Sequence, residues 1–257
     1  MWEKELKSAI EAAQLVIPKI LEIYHTDFGV EIKGDNSPVT IADKTADKMI
    51  REYLHNLYPT HAFLTEESED DLSRLENDYV WIVDPIDGTK DFIARDNEFS
   101  TIIALSYKHE IVVGVISAPA LGEIFYASKG NGAYKLVDGK VEKIHVSDKT
   151  EDLTYLASVF HEKEKEIAAV ARHPRIARKL KVGSAIKGCR IAEGKAELFY
   201  RLENGSKEWD VAGMQIIVEE AGGIFVEPDL SRIVYNRKDV YQRKGYIAAN
   251  KKENIIV

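Results

Sequence analysis

The stretch Asp84-Pro85-Ile86-Asp87-Gly88-Thr89 follows Tyr79-Val80-Trp81-Ile82-Val83, an apolar, β-branched and aromatic run of strand length. Two carboxylates therefore stand where a buried strand ends. Pro85 has no N–H for a ladder and fixes φ, so the strand is expected to stop there in a stiff turn. Asp84 and Asp87 supply oxygen donors of the kind hard cations take, and the Ile86 carbonyl between them is free to face the same way. Gly88 allows the backbone to approach a ligand closely. Thr89 adds a hydroxyl and an amide at the start of a helical turn, where an oxyanion is favoured. Taken alone, the same six residues also read as an ordinary turn, because Asp, Pro and Gly are turn formers.

Two other acidic clusters change that balance. Thr65-Glu66-Glu67-Ser68 closes the strand-like run Ala62-Phe63-Leu64, and Trp209-Asp210-Val211-Ala212-Gly213 opens an apolar helix. Acidic groups at three element ends are what an oxygen-rich magnesium site requires. TEES, DPIDGT and WDVAG, in that order, make the sequence resemble the inositol monophosphatase superfamily of magnesium-dependent, lithium-sensitive phosphatases. The resemblance runs over nearly the whole chain. Asn36–Thr40 (NSPVT), Asp87–Phe92 (DGTKDF), Glu98–Ser100 (EFS) and Gly183–Lys187 (GSAIK) look most like the CysQ-type 3'(2'),5'-bisphosphate nucleotidases within it. Those enzymes convert adenosine 3',5'-bisphosphate to AMP.

The resemblance implies an α+β fold, a layered αβαβα sandwich of the sugar-phosphatase type. We expect an N-terminal α+β lobe over 1–150 that carries the metal motifs, and a C-terminal α/β lobe over 151–257 that completes the site. It also implies two to three Mg²⁺ ions. One is assigned to Glu66, Asp84 and the Ile86 carbonyl, a second to Asp84, Asp87 and Asp210, and a weaker third to Glu67. Two such ions roughly 4 Å apart activate a water, neutralise phosphoryl oxygens and steady the leaving oxygen. Thr89, backed by Asp43, is expected to orient the water, with Glu66 on the same ion. The amides of Gly88 and Thr89 are expected to bind the phosphate.

The residues around these motifs carry bland readings as well. Asp43 and Asp47 lie one turn apart near the start of a helical pattern, where acidic groups complement the helix dipole. That suffices for Asp47, whereas for Asp43 the resemblance adds the pairing with Thr89. Gly183-Ser184 reads as a helix N-cap. Lys187 in the first turn opposes the dipole, which hints at a paired anion. On the substrate side the resemblance points to Lys90, Ser158, His161, Gly183, Ser184, Lys187 and Arg201. Ser158-Val159-Phe160-His161 matches the Ser-Arg-Ser-His element of CysQ-type enzymes only in part. Glu203 lies seven residues before Asp210, the spacing of the inositol-contacting glutamate of inositol monophosphatases. An inositol-1-phosphate or broad sugar-phosphate phosphatase of the fructose-1,6-bisphosphatase type thus stays open, as does a non-catalytic cation-binding protein.

The 257 residues carry 45% hydrophobic content and a formal net charge of −8. That charge excludes broad binding to a nucleic-acid polymer, which needs a basic surface, but not a small phosphorylated substrate, since bound cations invert the local sign. The single cysteine, Cys189, excludes an internal disulfide and fits a reducing compartment. No signal-peptide core and no membrane-length apolar run appear, so the expectation is a soluble cytoplasmic protein, with a homodimer possible by analogy with relatives.

Along the chain, apolar residues at three- and four-residue spacing predict helices over 2–25, with Pro18 expected to kink or thin the bonding, and over about 42–57. Lys33 to Thr40 reads as a turn-rich polar stretch. Strands are expected at 62–65, 100–105, 111–117, 123–127, 132–137 and 141–146, a long antiparallel meander. Beyond residue 150, strands at 153–159, 197–200, 224–227 and 245–249 alternate with helices at 162–172, 185–192 and 209–220. Arg172, Arg175, Arg178, Lys179 and Lys181 form a basic run, either a solvated face or a device steering anions toward a cleft.

Overall fold

The computed structural model describes residues 1–34, 37–203 and 205–256. Asn36 of the NSPVT motif and Asn204 of the polar loop after Arg201 lie outside the described residues. Two helices open the chain, α1 (Glu3–Tyr24), which runs through Pro18 as one helix, and α2 (Ile41–Leu57). Between them β1 (Val30–Ile32) and β2 (Pro38–Thr40) pair antiparallel. The polar stretch is therefore flanked by a small hairpin, which its turn residues concealed.

A seven-stranded sheet follows, in the order β3 (Ala62–Thr65), β4 (Tyr79–Asp87), β5 (Ser100–Tyr107), β6 (Glu110–Ala118), β7 (Glu123–Ser128), β8 (Ala133–Val137) and β9 (Lys140–Ile144). β3 is parallel to β4, and every later pair is antiparallel, which is the expected meander. A short helix, α3 (Thr89–Ala94), leaves the end of β4. The second sheet has five strands, in the order β11 (Ile176–Val182), β10 (Leu153–Ser158), β12 (Leu198–Arg201), β14 (Tyr246–Ala249) and β13 (Ile224–Val226). Helices α4 (Glu164–Arg172), α5 (Ile186–Ala192) and α6 (Glu208–Glu220) complete the chain. The basic run is largely strand β11, with exposed side chains at the sheet edge, a location where lysines also discourage unwanted pairing.

The layers follow from which face each residue buries. Trp81, Val83 and Ile103 pack on one face of the large sheet with Ala9, Val16, Ile20, Ala42 and Ile50 of α1 and α2. Their neighbours Ile82, Ile102 and Ile116 face the other way, against Ile186, Val211, Ile217, Phe199 and Ala248. Tyr155, Tyr200 and Ile247 cover the far face of the small sheet, with Ala169 and Val170 of α4. The stack is α1α2, large sheet, α5α6, small sheet, α4: an αβαβα sandwich. Because both faces of the large sheet are covered, β4 reads as a continuous apolar run rather than an alternating one.

Two glycines set the height of α6 above the sheet. A methyl group on Gly213 would lie 2.7 Å from the Cγ2 of Ile102, and one on Gly114 would overlap Ile216. No side chain of ordinary size fits at either point, so helix and sheet meet backbone to backbone.

Candidate active site

The acidic site is assembled at the ends of three elements. In parallel register Thr65 of β3 lies beside Val83 of β4, and the Glu66 N–H donates to the Val83 carbonyl at 3.2 Å. That pairing sets Glu66 next to Asp84. β4 does not stop at Val83 as its proline suggested. Asp84 pairs with Ile102 and Asp87 with Ser100, so three steps on β4 match two on β5. This one-residue bulge accommodates Pro85, whose carbonyl accepts from Thr101 Oγ1 at 2.8 Å. In a regular strand, residues three apart face opposite sides; the extra residue turns Asp84 and Asp87 to one cleft. Gly88 then takes φ 84°, in the left-handed region, and α3 begins at Thr89.

Asp210 comes from the first turn of α6, where its Oδ2 accepts from the Lys207 N–H at 2.7 Å. With α6 held close to the sheet, carboxylate oxygens of Glu66, Asp84 and Asp210 lie within 4.8 Å of one another. Asp84 is buried, accepts one hydrogen bond from the Ile86 N–H, and meets no cation among the described residues. Burial, then Glu66, Asp87 and Asp210, push its carboxyl well above the usual range. Burial, then Asp87 and Glu66, do the same for Asp210. Burial lifts Asp87 to about 6 against the opposing pull of Lys187. Buried carboxylates crowded this closely repel one another, and an all-oxygen set of this kind fits a hard divalent cation.

Around this centre stand the other residues named from the sequence. Thr89 Oγ1 lies 3.3 Å from Asp43 Oδ1 and 3.2 Å from the Ile86 carbonyl. Asp43 also closes the capping box of α2 through Thr40, whose N–H and hydroxyl both reach Asp43 Oδ2. The cap and the contact with Thr89 thus coexist in one geometry. Glu67 pairs with Lys33, which lies 3.2 Å from Glu66 as well. Burial raises Glu67 to about 7, opposed by Lys33.

A cleft of about 460 Å³ is lined both by this acidic group and by cations. Gly88, Thr89, Lys90, Ser158, His161, Ser184, Lys187 and Arg201 line it together with Asp84, Asp87, Ile86, Glu66 and Asp210. Lys187 is buried and donates to the carbonyls of Val182 and Ser184; burial lowers it to about 8. Arg201 donates to the His161 carbonyl, and its buried Nε has no hydrogen-bond partner. Burial, then Lys90 and Arg201, hold the His161 imidazole at about 4.

Glu67, Gly183 and Glu203 do not line the cleft. Glu203 lies 3.8 Å from Lys163 and 3.4 Å from Lys165. Gly183-Ser184 is not the N-cap of α5: Ala185 holds that position, and Ser184 has φ 44°. The loop is drawn from a cap geometry because the Ala185 N–H donates to Asp87 and the Gly183 N–H to Glu98 Oε2. The sequence did not single out Lys33, Lys163, Lys207, Tyr241 or Tyr246. All but Lys33 line the cleft, yet each reaches it through a long-range fold contact with no linear motif.

Comparison with known proteins agrees with this architecture. The profile described as the inositol monophosphatase family matches residues 1–256. The chain belongs to the inositol monophosphatase family. This family member is 31% identical over 246 residues to the 3'(2'),5'-bisphosphate nucleotidase CysQ of Aggregatibacter actinomycetemcomitans, covering 94% of this chain and 91% of that protein. It is 31% identical over 241 residues to the inositol monophosphatase of Dictyostelium discoideum, with 88% and 85% coverage. The crystal structure of CysQ from Bacteroides thetaiotaomicron superposes with a TM-score of 0.84 at 32% identity, covering 98% of this chain and 99% of that one. The inositol monophosphatase-family protein is thus a phosphatase of a metal-dependent family that acts on small phosphorylated substrates. Among the described residues, no helix is long and apolar enough to cross a membrane.

Proposed function

We propose that the protein removes the 3'-phosphate of adenosine 3',5'-bisphosphate, leaving AMP, by attack of an oriented water. The observation that carries this reading is the polarity of one cleft. Carboxylates gather in one part of the lining, and Lys187, Arg201 and Lys90 crowd around a neutral His161 in the same cleft, where a second phosphate would find cations. The fit of the acidic group to hard cations supports Mg²⁺ as the ion. Glu66, Asp84, Asp87, Asp210 and the Ile86 carbonyl would hold two ions, and Glu67 a third. Divalent cations there would supply positive charge against the phosphoryl and departing oxygens and would make water more acidic.

The chain's own groups do the rest. Thr89 Oγ1 donates to Asp43 and so leaves its lone pairs for a water, which fixes the direction of attack. The amides of Gly88 and Thr89 take the phosphoryl oxygens at the turn into α3. Ser158, His161, Ser184, Lys187 and Arg201 position the nucleotide, with Gly183 shaping the loop beneath it. The lobes 1–150 and 151–257 close on the cleft from either side.

An inositol-phosphate reading gains from the Dictyostelium relative and from the position of Glu203 in the chain. It is weakened because Glu203 does not line the cleft and faces Lys163 and Lys165 instead. A magnesium-dependent phosphate-release assay on adenosine 3',5'-bisphosphate, inositol 1-phosphate and fructose 1,6-bisphosphate separates them. The nucleotide should give the highest kcat/KM; a preference for inositol 1-phosphate would replace this proposal.

A further inference from the structure

The backbone from Val182 to Lys187 is threaded against three acidic residues of the N-terminal half. Glu98 receives the Gly183 N–H at 2.7 Å, Asp87 receives the Ala185 N–H, and Asp91 of α3 lies against Gly183. The last contact is tight. A methyl group on Gly183 would overlap Asp91 Oδ1 and lie 2.6 Å from the Glu98 carbonyl. On the other side, a methyl on Gly88 would lie 3.0 Å from Asp91 Oδ2 and 3.1 Å from Ser184 Cβ. Asp91 therefore stands between the phosphate-facing turn at Gly88 and the loop that carries Lys187, with a glycine on each flank.

Three further observations bear on its role. Asp91 is 5% exposed, borders the cleft, and its Oδ1 has no hydrogen-bond partner. Ser184, a residue with a side chain, is held in the left-handed region, a strain that persists only where surrounding contacts over-determine it. Lys187 donates to the carbonyls of Val182 and Ser184 themselves, so its ammonium follows the path of this loop.

We propose that Asp91 is a positioning residue that locks the 182–187 loop to the Gly88 turn and so presents Lys187 to the second anionic group of the substrate. This rests on the reading above in which Lys187 meets that group. An acidic side chain in the first turn of a helix is ordinarily explained by the helix dipole. That explanation does not account for a buried carboxyl wedged between two glycines, with Oδ2 against Gly88 and an unpartnered Oδ1 against Gly183. Burial, then Asp96 and Asp87, raise the carboxyl to about 8, opposed by Lys187.

The test compares KM for adenosine 3',5'-bisphosphate with KM for p-nitrophenyl phosphate, which has one phosphate. Asp91→Ala should raise the first at least tenfold more than the second, and Asp91→Asn, which keeps the volume, should stay within threefold of wild type on both. Gly183→Ala disturbs the same contact from the other side and should show the same selectivity, so a poorly folding Asp91→Ala leaves the question answerable. The effects of Asp91→Ala and Lys187→Ala on the bisphosphate should fall short of additive, because one acts through the other. Equal losses on both substrates, or full additivity, would overturn the role of Asp91 while Lys187→Ala alone still raised the bisphosphate KM. An unchanged bisphosphate KM in Lys187→Ala would instead remove the second-anion reading, and this inference with it.

Discussion

At the scale of single residues, Asp43 shows how one carboxylate serves two ends. Oδ2 caps α2 through Thr40, and Oδ1 faces Thr89. The two duties separate by mutation. Thr40→Ala should cost about 1 kcal/mol of stability, the usual value of an N-cap, with kcat changed by less than severalfold. Thr89→Val keeps the shape but loses the hydroxyl, and kcat should fall at least a hundredfold with little change in melting temperature. Chemical denaturation and phosphate release on both variants check this; equal loss of activity in the two would contradict the assignment of Thr89. His161 gives a second residue-scale expectation. Burial and neighbouring cations depress its pKa, so the ring is neutral at pH 7 in the free protein. Because the folded value is below the unfolded one, the stability it contributes is complete above about pH 6.5 and is lost as pH falls toward 4. A bound dianion reverses the local sign, so an NMR titration should show the His161 pKa rising when the bisphosphate binds. An ordinary, ligand-insensitive value near 6.5 would detach His161 from the substrate.

At the scale of elements, legibility followed the length of the motif. The gathering of Glu66, Asp84 and Asp210 was legible because each borders an apolar run, and chain segments that border buried runs are where a fold brings polar groups together. The bulge in β4 was not readable, because Pro85 announces an interruption without saying whether the strand resumes. Strand β11 was hidden by its own chemistry: an edge strand exposed along most of its length carries no alternation for a periodicity argument to find. The β1–β2 hairpin, and with it the reach of Lys33 to Glu66 and Glu67, was masked by turn-forming residues. Gly213 looked like one letter of a motif, yet its physical task lies in helix–sheet contact. Gly213→Val should destabilise the fold by about 1–3 kcal/mol through overpacking against Ile102 and Ile116, and should also lift Asp210 from its partners. Metal affinity measured by calorimetry should then fall in a variant whose carboxylates are all intact. Unaltered affinity would show that α6 can rise without carrying Asp210 away.

At the scale of the whole molecule, one hydrophobic core runs from the large sheet through α5 and α6 to the small sheet, so the proposed metal ligands and the proposed substrate contacts share a single packed interior. Ion binding should consequently stabilise the entire fold. At a hundredfold excess over its dissociation constant, a ligand that binds only the folded chain adds about 2.7 kcal/mol. For a chain of this size that corresponds to a rise of roughly 5–10 °C in melting temperature. Magnesium titration followed by scanning calorimetry checks it, with chelator reversing the rise. Asp210→Asn should lose most of the increment, and retention of the full increment would place the ions elsewhere.

The seam between the two sheets also separates the parts in another sense. The carboxylates come from β3, β4 and the head of α6, whereas Ser158, His161 and Arg201 come from the small sheet and its loops. Proposed recognition groups can therefore be exchanged on one bank of the seam, Lys90 of α3 excepted, while the carboxylates on the other stay untouched.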